Sequence, residues 1–362
     1  MNAVKNMLNK DLFKNMNKTT KTNTITYAIV VIAYVVIQLL VNTGNVSSLM
    51  QGLLVPMCVY AIAAISLNLV VGISGELSLG HAGFMCVGAY ASSFFSVLTR
   101  GTLPDGIRFI LALVIGAVVA AFFGIIIGIP VLKLKGDYLA IVTLAFGEII
   151  KNLVNIVYVG ADSNGLHFSV TDTAALNMEV DGKVIVKGAL GITGTPKDSS
   201  FTIGVLLILV ALFIVLNLIN SRSGRAIMAI RDNRIAAESV GINITKYKLL
   251  AFSISAALAG VAGVLYAHNL STLTVKKFDY NTSILILVFV VLGGIGNIRG
   301  SMIAAVILTL LPELLRGLSD YRMLIYAVVL ITMMLFNWAP AAITWKEKMK
   351  AKIMKKGVKE AE

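Results

Sequence analysis

Ten predominantly apolar blocks, most near the length of a membrane-spanning helix, run through this chain of 362 residues. They cover about 25–41, 49–71, 77–98, 109–131, 138–159, 201–219, 249–268, 281–298, 301–315 and 322–338. A helix needs about 20 residues to cross the hydrocarbon of a bilayer. Inside that hydrocarbon the backbone must satisfy its own hydrogen bonds, which favours helices over open strands. The expectation is an all-α, polytopic integral membrane helical bundle of about ten segments. The third block is rich in small residues and the ninth is short, so bent or buried forms fit both. Eight full spans also fit if two blocks are re-entrant. Hydrophobic residues make up 57% of the chain and charged residues 14%. Soluble domains carry about 25% charged residues, so two or three soluble domains, which length alone suggests, are excluded.

The net charge is +13. Its placement argues against a nucleic-acid surface, because the cations lie in short flanks and loops. The N-terminal tail, residues 1–24, has five lysines and one aspartate. Residues 221–248 hold six basic and two acidic side chains, and the tail from Trp345 holds seven lysines and three glutamates. With an even number of spans all three fall on one side, which the positive-inside rule makes cytoplasmic. The domain reading is therefore a basic tail at 1–24, a transmembrane body at 25–338 and a second basic tail at 339–362. Trp338 and Trp345 flank the last boundary, where interfacial aromatics are expected. The 160–200 segment, with five acidic and three basic residues, falls outside. The N-terminus lacks a small-residue cleavage site, so 25–41 reads as a retained first span.

Cys58 and Cys86 both lie in apolar stretches and suggest neither a disulfide framework nor a metal cluster. His81, His167 and His268 have no metal-ligand spacing. No nucleophile pattern surrounds them, so the chain does not read as an enzyme.

Glycine interrupts the apolar pattern twice. The first interruption is LNLVVGISGELSLGHAGFMCVGAY at 67–90, with Gly72, Gly75, Gly80, Gly83 and Gly88 and the polar residues Glu76, Ser78 and His81. The second is VVLGGIGNIRGS at 290–301, with Gly293 and Gly294. Non-helical backbone at membrane depth must be buried in protein or line an aqueous cavity. Paired interruptions in two halves of a transporter can mark a substrate path; tight helix packing at small residues explains the same pattern. Asn68, Gly75, Glu76, Ser78, His81, Thr143, Glu148, Gly293 and Gly294 are the candidates for a path or gate. Glu148 lies mid-block with Lys151 three residues on, so mutual neutralisation on one helix face competes with a functional role. Tyr138 and Thr143 are read onto the same helix, near a polar path. In the outer segment, MEVDGKVIVKGAL suggests a small hairpin turning at Asp181-Gly182.

Residues 221–248, SRSGRAIMAIRDNRIAAESVGINITKYK, form a charged island between apolar blocks. Arg222, Arg225, Arg231 and Arg234 alternate with the apolar anchors Ile227, Ile230, Ile235 and Val240. Ala236, Ala237 and Glu238 lead to Gly241, a helix-ending residue. One or two short helices at the cytoplasmic surface are expected. An interfacial helix and a segment that docks into a partner groove both fit. The chain has no GxxxxGK[ST] phosphate loop, so any ATP that drives it is hydrolysed on another polypeptide.

Four stretches in this order carry a family resemblance: LNLVVGISGELSLGHAGF at 67–84, GDYLAIVTLAFGEI at 136–149, GRAIMAIRDNRIAAESVGINITKYKLLAFSISAALAGVAGVLYA at 224–267 and VVLGGIGNIRG at 290–300. Over most of 50–338 the chain resembles the LivM-type permease subunit of bacterial branched-chain amino-acid ABC importers. The resemblance implies a type II-like importer permease in the bacterial inner membrane. Its partners would be a LivH-like permease, two cytoplasmic ATPases and an extracytoplasmic solute-binding protein. ATP and magnesium would bind those ATPases, with no cofactor on this chain. Leucine, isoleucine and valine would cross by alternating access. Ala236, Ala237, Glu238 and Gly241, with Arg231 ahead of them, match the family's coupling segment, which fits a groove on the ATPase. Two stretches depart from the pattern: GADSNG at 160–165 and WAPAAIT at 338–344. Permeases for urea, short amides or other amino acids, and an ion-coupled carrier, are the alternatives.

Overall fold

The computed structural model describes residues 18–44, 46–134, 136–163, 165–178 and 182–338. Most of the basic N-terminal tail, the tail after Trp338 with Trp345, the Trp338 side chain and the Asp181 turn lie outside the described residues. The chain divides into two compact units, Met1–Val306 and Ile307–Glu362.

The helices are α1 (Lys18–Asn42), α2 (Ser48–Asn68), α3 (His81–Leu98), α4 (Asp105–Val131), α5 (Asp137–Ile156), α6 (Phe201–Asn220), α7 (Arg222–Asp232), α8 (Arg234–Ser239), α9 (Ile244–Ala267), α10 (Tyr280–Gly293), α11 (Ile298–Leu314) and α12 (Arg322–Trp338). Among the described residues eight helices are long and apolar enough to cross a membrane, and the protein is a mostly helical, multi-pass membrane protein. The predicted segments at 281–298 and 322–338 correspond to the shorter helices α10, of 14 residues, and α12, of 17. At about 1.5 Å per residue, α10 falls well short of a bilayer core of about 30 Å.

Polar residues set several helix starts. Ser47, Ser200, Ser221, Asn233, Asn243 and Asp279 each accept a hydrogen bond from the backbone N–H three residues on. Each satisfies one of the free donors at a helix N-terminus.

Helix α9 packs against α2, α3 and α4. Small residues make this possible. On α4, Ala112, Gly116, Ala120, Gly124 and Gly128 are buried and recur every fourth position, which puts them on one face. On the opposite face, Ile110, Val114, Val118, Phe122 and Ile126 are exposed. A Cβ on Gly260 of α9 would sit 2.5 Å from Ala120 Cβ and 2.8 Å from the Gly116 carbonyl oxygen. A Cβ on Gly88 of α3 would sit 2.5 Å from Gly260 Cα. Three backbones thus meet at Gly88, Gly116 and Gly260, the close approach by which membrane helices gain dispersion contacts without a hydrophobic driving force. Gly83 and Gly88, read as part of the first interruption, lie inside α3; Gly88 serves this packing, and Gly83 packs on Gly147 of α5.

One end of the first unit carries a five-stranded antiparallel sheet, order β2-β1-β3-β4-β5. Its strands are β1 (Tyr158–Asp162), β2 (Gly165–Ser169), β3 (Lys183–Lys187), β4 (Ile192–Thr193) and β5 (Thr272–Leu273). The body is mostly helical, as expected, and the outer segment forms part of a sheet where a single hairpin was expected. Helix α5 stops at Ile156, so residues 158 and 159 belong to β1 rather than to the fifth span. Lys183–Lys187 does form a strand, but it pairs with β1 and β4. The sheet is tied to the bundle through the Tyr90 hydroxyl, which donates to the Leu273 carbonyl at 3.3 Å. Beside it His268, fully buried, bonds Ser96 at 2.9 Å, and buried Arg108 pairs with Asp198 at 2.9 Å and Asp105 at 2.8 Å. Both partners of Arg108 come from polar segments near the sheet, which keeps the guanidinium neutralised where water is scarce.

In the second unit, the end of α11 passes through the 3-10 segment Leu315–Tyr321 into α12, and Arg316 pairs with Glu313 at 3.0 Å.

Replacing Gly260 with leucine forces apart α3, α4 and α9. Thermal unfolding in detergent should show a loss at or above the usual overpacking cost of about 1–3 kcal/mol. Ile110→Ala, on the outward face of α4, should change stability by only about 0.5 kcal/mol.

Candidate functional site

Both glycine interruptions are real breaks, and they meet. Helix α2 passes after Asn68 into a π-helical turn, Leu69–Ser74. Gly75 ends that turn at φ 74°, in the left-handed region that glycine adopts without strain. The chain then leaves the helix until His81 opens α3. At the second break α10 stops at Gly293, Gly294 and Gly296 take φ of 96° and 82°, and α11 begins at Ile298.

Asn68 stitches the two together. Its side-chain oxygen accepts from the Gly296 N–H at 2.8 Å, and its amide nitrogen donates to Ser301 Oγ at 2.6 Å. Gly72 lies so close that a Cβ there would collide with the Asn68 side chain and the Gly296 backbone. Gly293 is packed equally tightly on Gly300 and Ser301. Both glycines are needed for approach, whereas Gly75 and Gly294 are needed for their backbone angles.

Polar groups freed by the first break are taken up by side chains from other helices. The Leu79 N–H donates to Thr143 Oγ1 of α5 at 3.0 Å, and the Ala82 N–H to Ser283 Oγ of α10 at 3.0 Å. Thr143 donates its own hydroxyl proton to Ala140 O at 2.9 Å. His81 Nε2 meets Ser66 Oγ, whose hydroxyl points to Ala63 O at 2.9 Å and so leaves a lone pair for the imidazole N–H. Ser78 is 1% exposed, and its hydroxyl has no hydrogen-bond partner. Glu76, 8% exposed, forms an ion pair with Lys248 of α9, 9% exposed. The spacing of 172 residues hid Lys248 from sequence reasoning. An unpaired buried carboxylate is costly, and that cost was the available signal that Glu76 needed a cation.

The charged island is two short helices, α7 and α8, beside these breaks. Ile230, Ala237 and Ile244 form its own small core, with Ile242 and Tyr247 packed on it. Asn233 caps α8 through the Ala236 N–H at 3.0 Å. Gly241 ends it at φ 83°, letting the Ile242 N–H reach the Ala237 carbonyl at 3.1 Å. The coupling candidates therefore separate. Ala237 faces inward, while Ala236, Glu238 and Gly241 are exposed. Two of the four expected anchors, Ile227 and Ile230, are buried, but Ile235 and Val240 are 81% and 74% exposed. Arg231 turns towards the bundle: its Nη1 donates to the Gly72 carbonyl at 3.0 Å.

Asn68, Gly75, Glu76, Ser78, His81, Thr143, Gly293 and Gly294 thus belong to one assembly around the two breaks. Glu148 stands apart. Its carboxylate pairs with Lys151 and accepts from the Tyr280 N–H at 3.1 Å, helping Asp279 cap α10. Tyr138 is 72% exposed, away from the buried Thr143. Among the described residues no group of His, Cys, Asp and Glu is placed to hold a metal.

Residues 49–336 match the family described as branched-chain amino acid transport system / permease component. The chain belongs to this permease family. High-affinity branched-chain amino acid transport system permease protein LivM of Salmonella typhimurium is 35% identical, over 79% of this chain and 67% of the relative. Permease LivH of the same transport system in Escherichia coli is 26% identical over 76% of this chain and 88% of that protein. The ribose import permease RbsC of Escherichia coli is 27% identical over 77% and 82%. No solved structure matches. The match takes in both breaks and the island, so this permease carries its unusual backbone within the family's matched region.

Removing one partner of a buried ion pair costs about 3–5 kcal/mol. Glu76→Gln should lower stability by that order, and the double variant Glu76→Gln/Lys248→Met should recover part of it in detergent unfolding. Thr143→Val strands the Leu79 N–H and should cost about 1–3 kcal/mol, with Thr143→Ser close to the parent in the same assay.

Proposed function

We propose that this protein is the permease subunit of an ATP-driven importer of leucine, isoleucine and valine. The reading rests on its LivM relatives, which are named for branched-chain amino acid transport. One structural observation carries the mechanism. Helix α8 holds itself to the body through Ala237 while leaving Ile235, Glu238 and Val240 open, next to two glycine breaks. Exposed large apolar residues flanking a charge on a rigid short helix are what a partner groove recognises.

In this reading α8 fits a groove on a cytoplasmic ATPase. The tails and the island share the cytoplasmic side, and the sheet faces outwards to receive a solute-binding protein. A LivH-like permease pairs with this chain in the membrane, and two ATPases bind ATP and magnesium. Their closure reorients the paired permeases between outward-open and inward-open states, and the solute passes unchanged. Such a cycle needs elements with two discrete arrangements. The breaks supply them, because glycine at Gly75, Gly294 and Gly296 permits backbone changes that other residues resist.

The test is uptake by the whole complex reconstituted with its binding protein, with leucine, isoleucine, valine, urea and ribose as competitors. Competition by the three branched-chain amino acids alone is expected. Uptake that proceeds without ATP, driven by an ion gradient, would sink the importer reading. Glu238→Lys and Ile235→Asp should each cut ATP-driven uptake by about tenfold, the effect of about 1.4 kcal/mol at an interface, with the complex still inserted.

A further inference from the structure

The island and the two breaks are joined by bonds that family membership does not assign. Arg231 lies in the last turn of α7, two residues before Asn233, the cap of α8. Asp232 holds its guanidinium, accepting from Nε at 3.0 Å and Nη2 at 2.8 Å, so Nη1 is aimed at the Gly72 carbonyl at 3.0 Å. The stem of Arg231 crosses directly over Gly75, where a Cβ would stand 2.6 Å from its Cγ. On the other flank of α8, Lys248 of α9 grips Glu76. The island therefore holds a five-residue piece of the first break, Gly72 to Glu76, from both sides of α8. Asn68, four residues before that piece and at the entry to the π-helical turn that leads into it, holds the second break through Gly296 and Ser301.

We propose that Arg231, Lys248 and Asn68 are positioning residues that make the lever helix and both breaks move as one body. The proposal rests on the importer reading above. Displacement of α8 by a partner is passed to Gly72 by Arg231 and to Glu76 by Lys248. Asn68 carries the same displacement across to the turn between α10 and α11. The Leu79 N–H remains fixed to Thr143 of α5, so the backbone between Glu76 and Leu79 takes up the change. Four features of the region have one explanation in this arrangement: a π-helical turn, a left-handed Gly75, an ion pair buried at a break, and an asparagine with both polar atoms engaged.

The experiment uses the whole reconstituted complex, with uptake and ATP hydrolysis measured together. Arg231→Met keeps the aliphatic stem over Gly75 and removes the donor to Gly72. It should lower solute taken up per ATP hydrolysed by about tenfold, the scale set by a hydrogen bond from a charged group. Arg231→Lys, which retains a cationic donor, should restore part of that ratio. Thermal stability of the complex is followed alongside, because a purely structural role would lower stability and leave the ratio intact. An unchanged ratio in an intact Arg231→Met complex overturns the proposal. A parent complex with no ATP-driven uptake would instead overturn the importer reading.

A second measurement stands if the variant fails to assemble. Amide hydrogen exchange of the parent complex, with and without nucleotide, should change together in 222–241, 69–80 and 293–298. A response confined to 222–241 overturns the proposal.

Discussion

The hydrogen bonds of Asn68 are the point on which the site depends. Two helices lose their regular backbone pairing close to one another, in a bundle built for hydrocarbon. Each N–H or carbonyl left bare there would cost several kcal/mol on the scale of about 2–7 for burial without a partner. Asn68 satisfies one such N–H on the second break with its oxygen and anchors the start of α11 with its nitrogen. A residue with an acceptor and a donor on one planar group can do both at once. Thr143, Ser283 and Arg231 repeat the principle from three other helices. The breaks are tolerated because neighbouring elements complete them.

That completion requires the helices to be close, and the small-residue spine provides it. Gly88, Gly116 and Gly260 bring α3, α4 and α9 together at backbone distance, while α4 turns its large apolar side chains outwards. The packing is unforgiving at one face and permissive at the other. The spine lies along regular helix, outside the two breaks. The sheet is tied to the bundle at Tyr90, beside the buried Arg108–Asp198 pair and His268.

Much of the fold was legible because its signals are local. Apolar runs marked the spans, and Ser47, Ser200, Asn233, Asn243 and Asp279 cap the helices that follow them. Gly241 ended α8 where a glycine after Ala236, Ala237 and Glu238 suggested. The site was legible in composition but not in pairing. Glu76 and Asn68 stood out as polar groups in apolar blocks, yet their partners Lys248, Gly296 and Ser301 lie 172 to 233 residues away. The sheet was missed for a similar reason: β1 follows directly from an apolar helix, and β5 is contributed from beyond the outer segment.

The sequence by itself determined that this chain is a helical membrane body with glycine breaks and a charged island, because hydropathy, glycine and capping act over a few residues. It also carried the family pattern across most of its length. Only the tertiary structure decided which polar groups meet. It turned Glu148 into a helix cap, sent Arg231 inward to Gly72, and left Ile235 and Val240 facing out. Those outcomes depend on how helices distant in the chain approach one another, and that approach is set by side-chain volumes summed over many contacts.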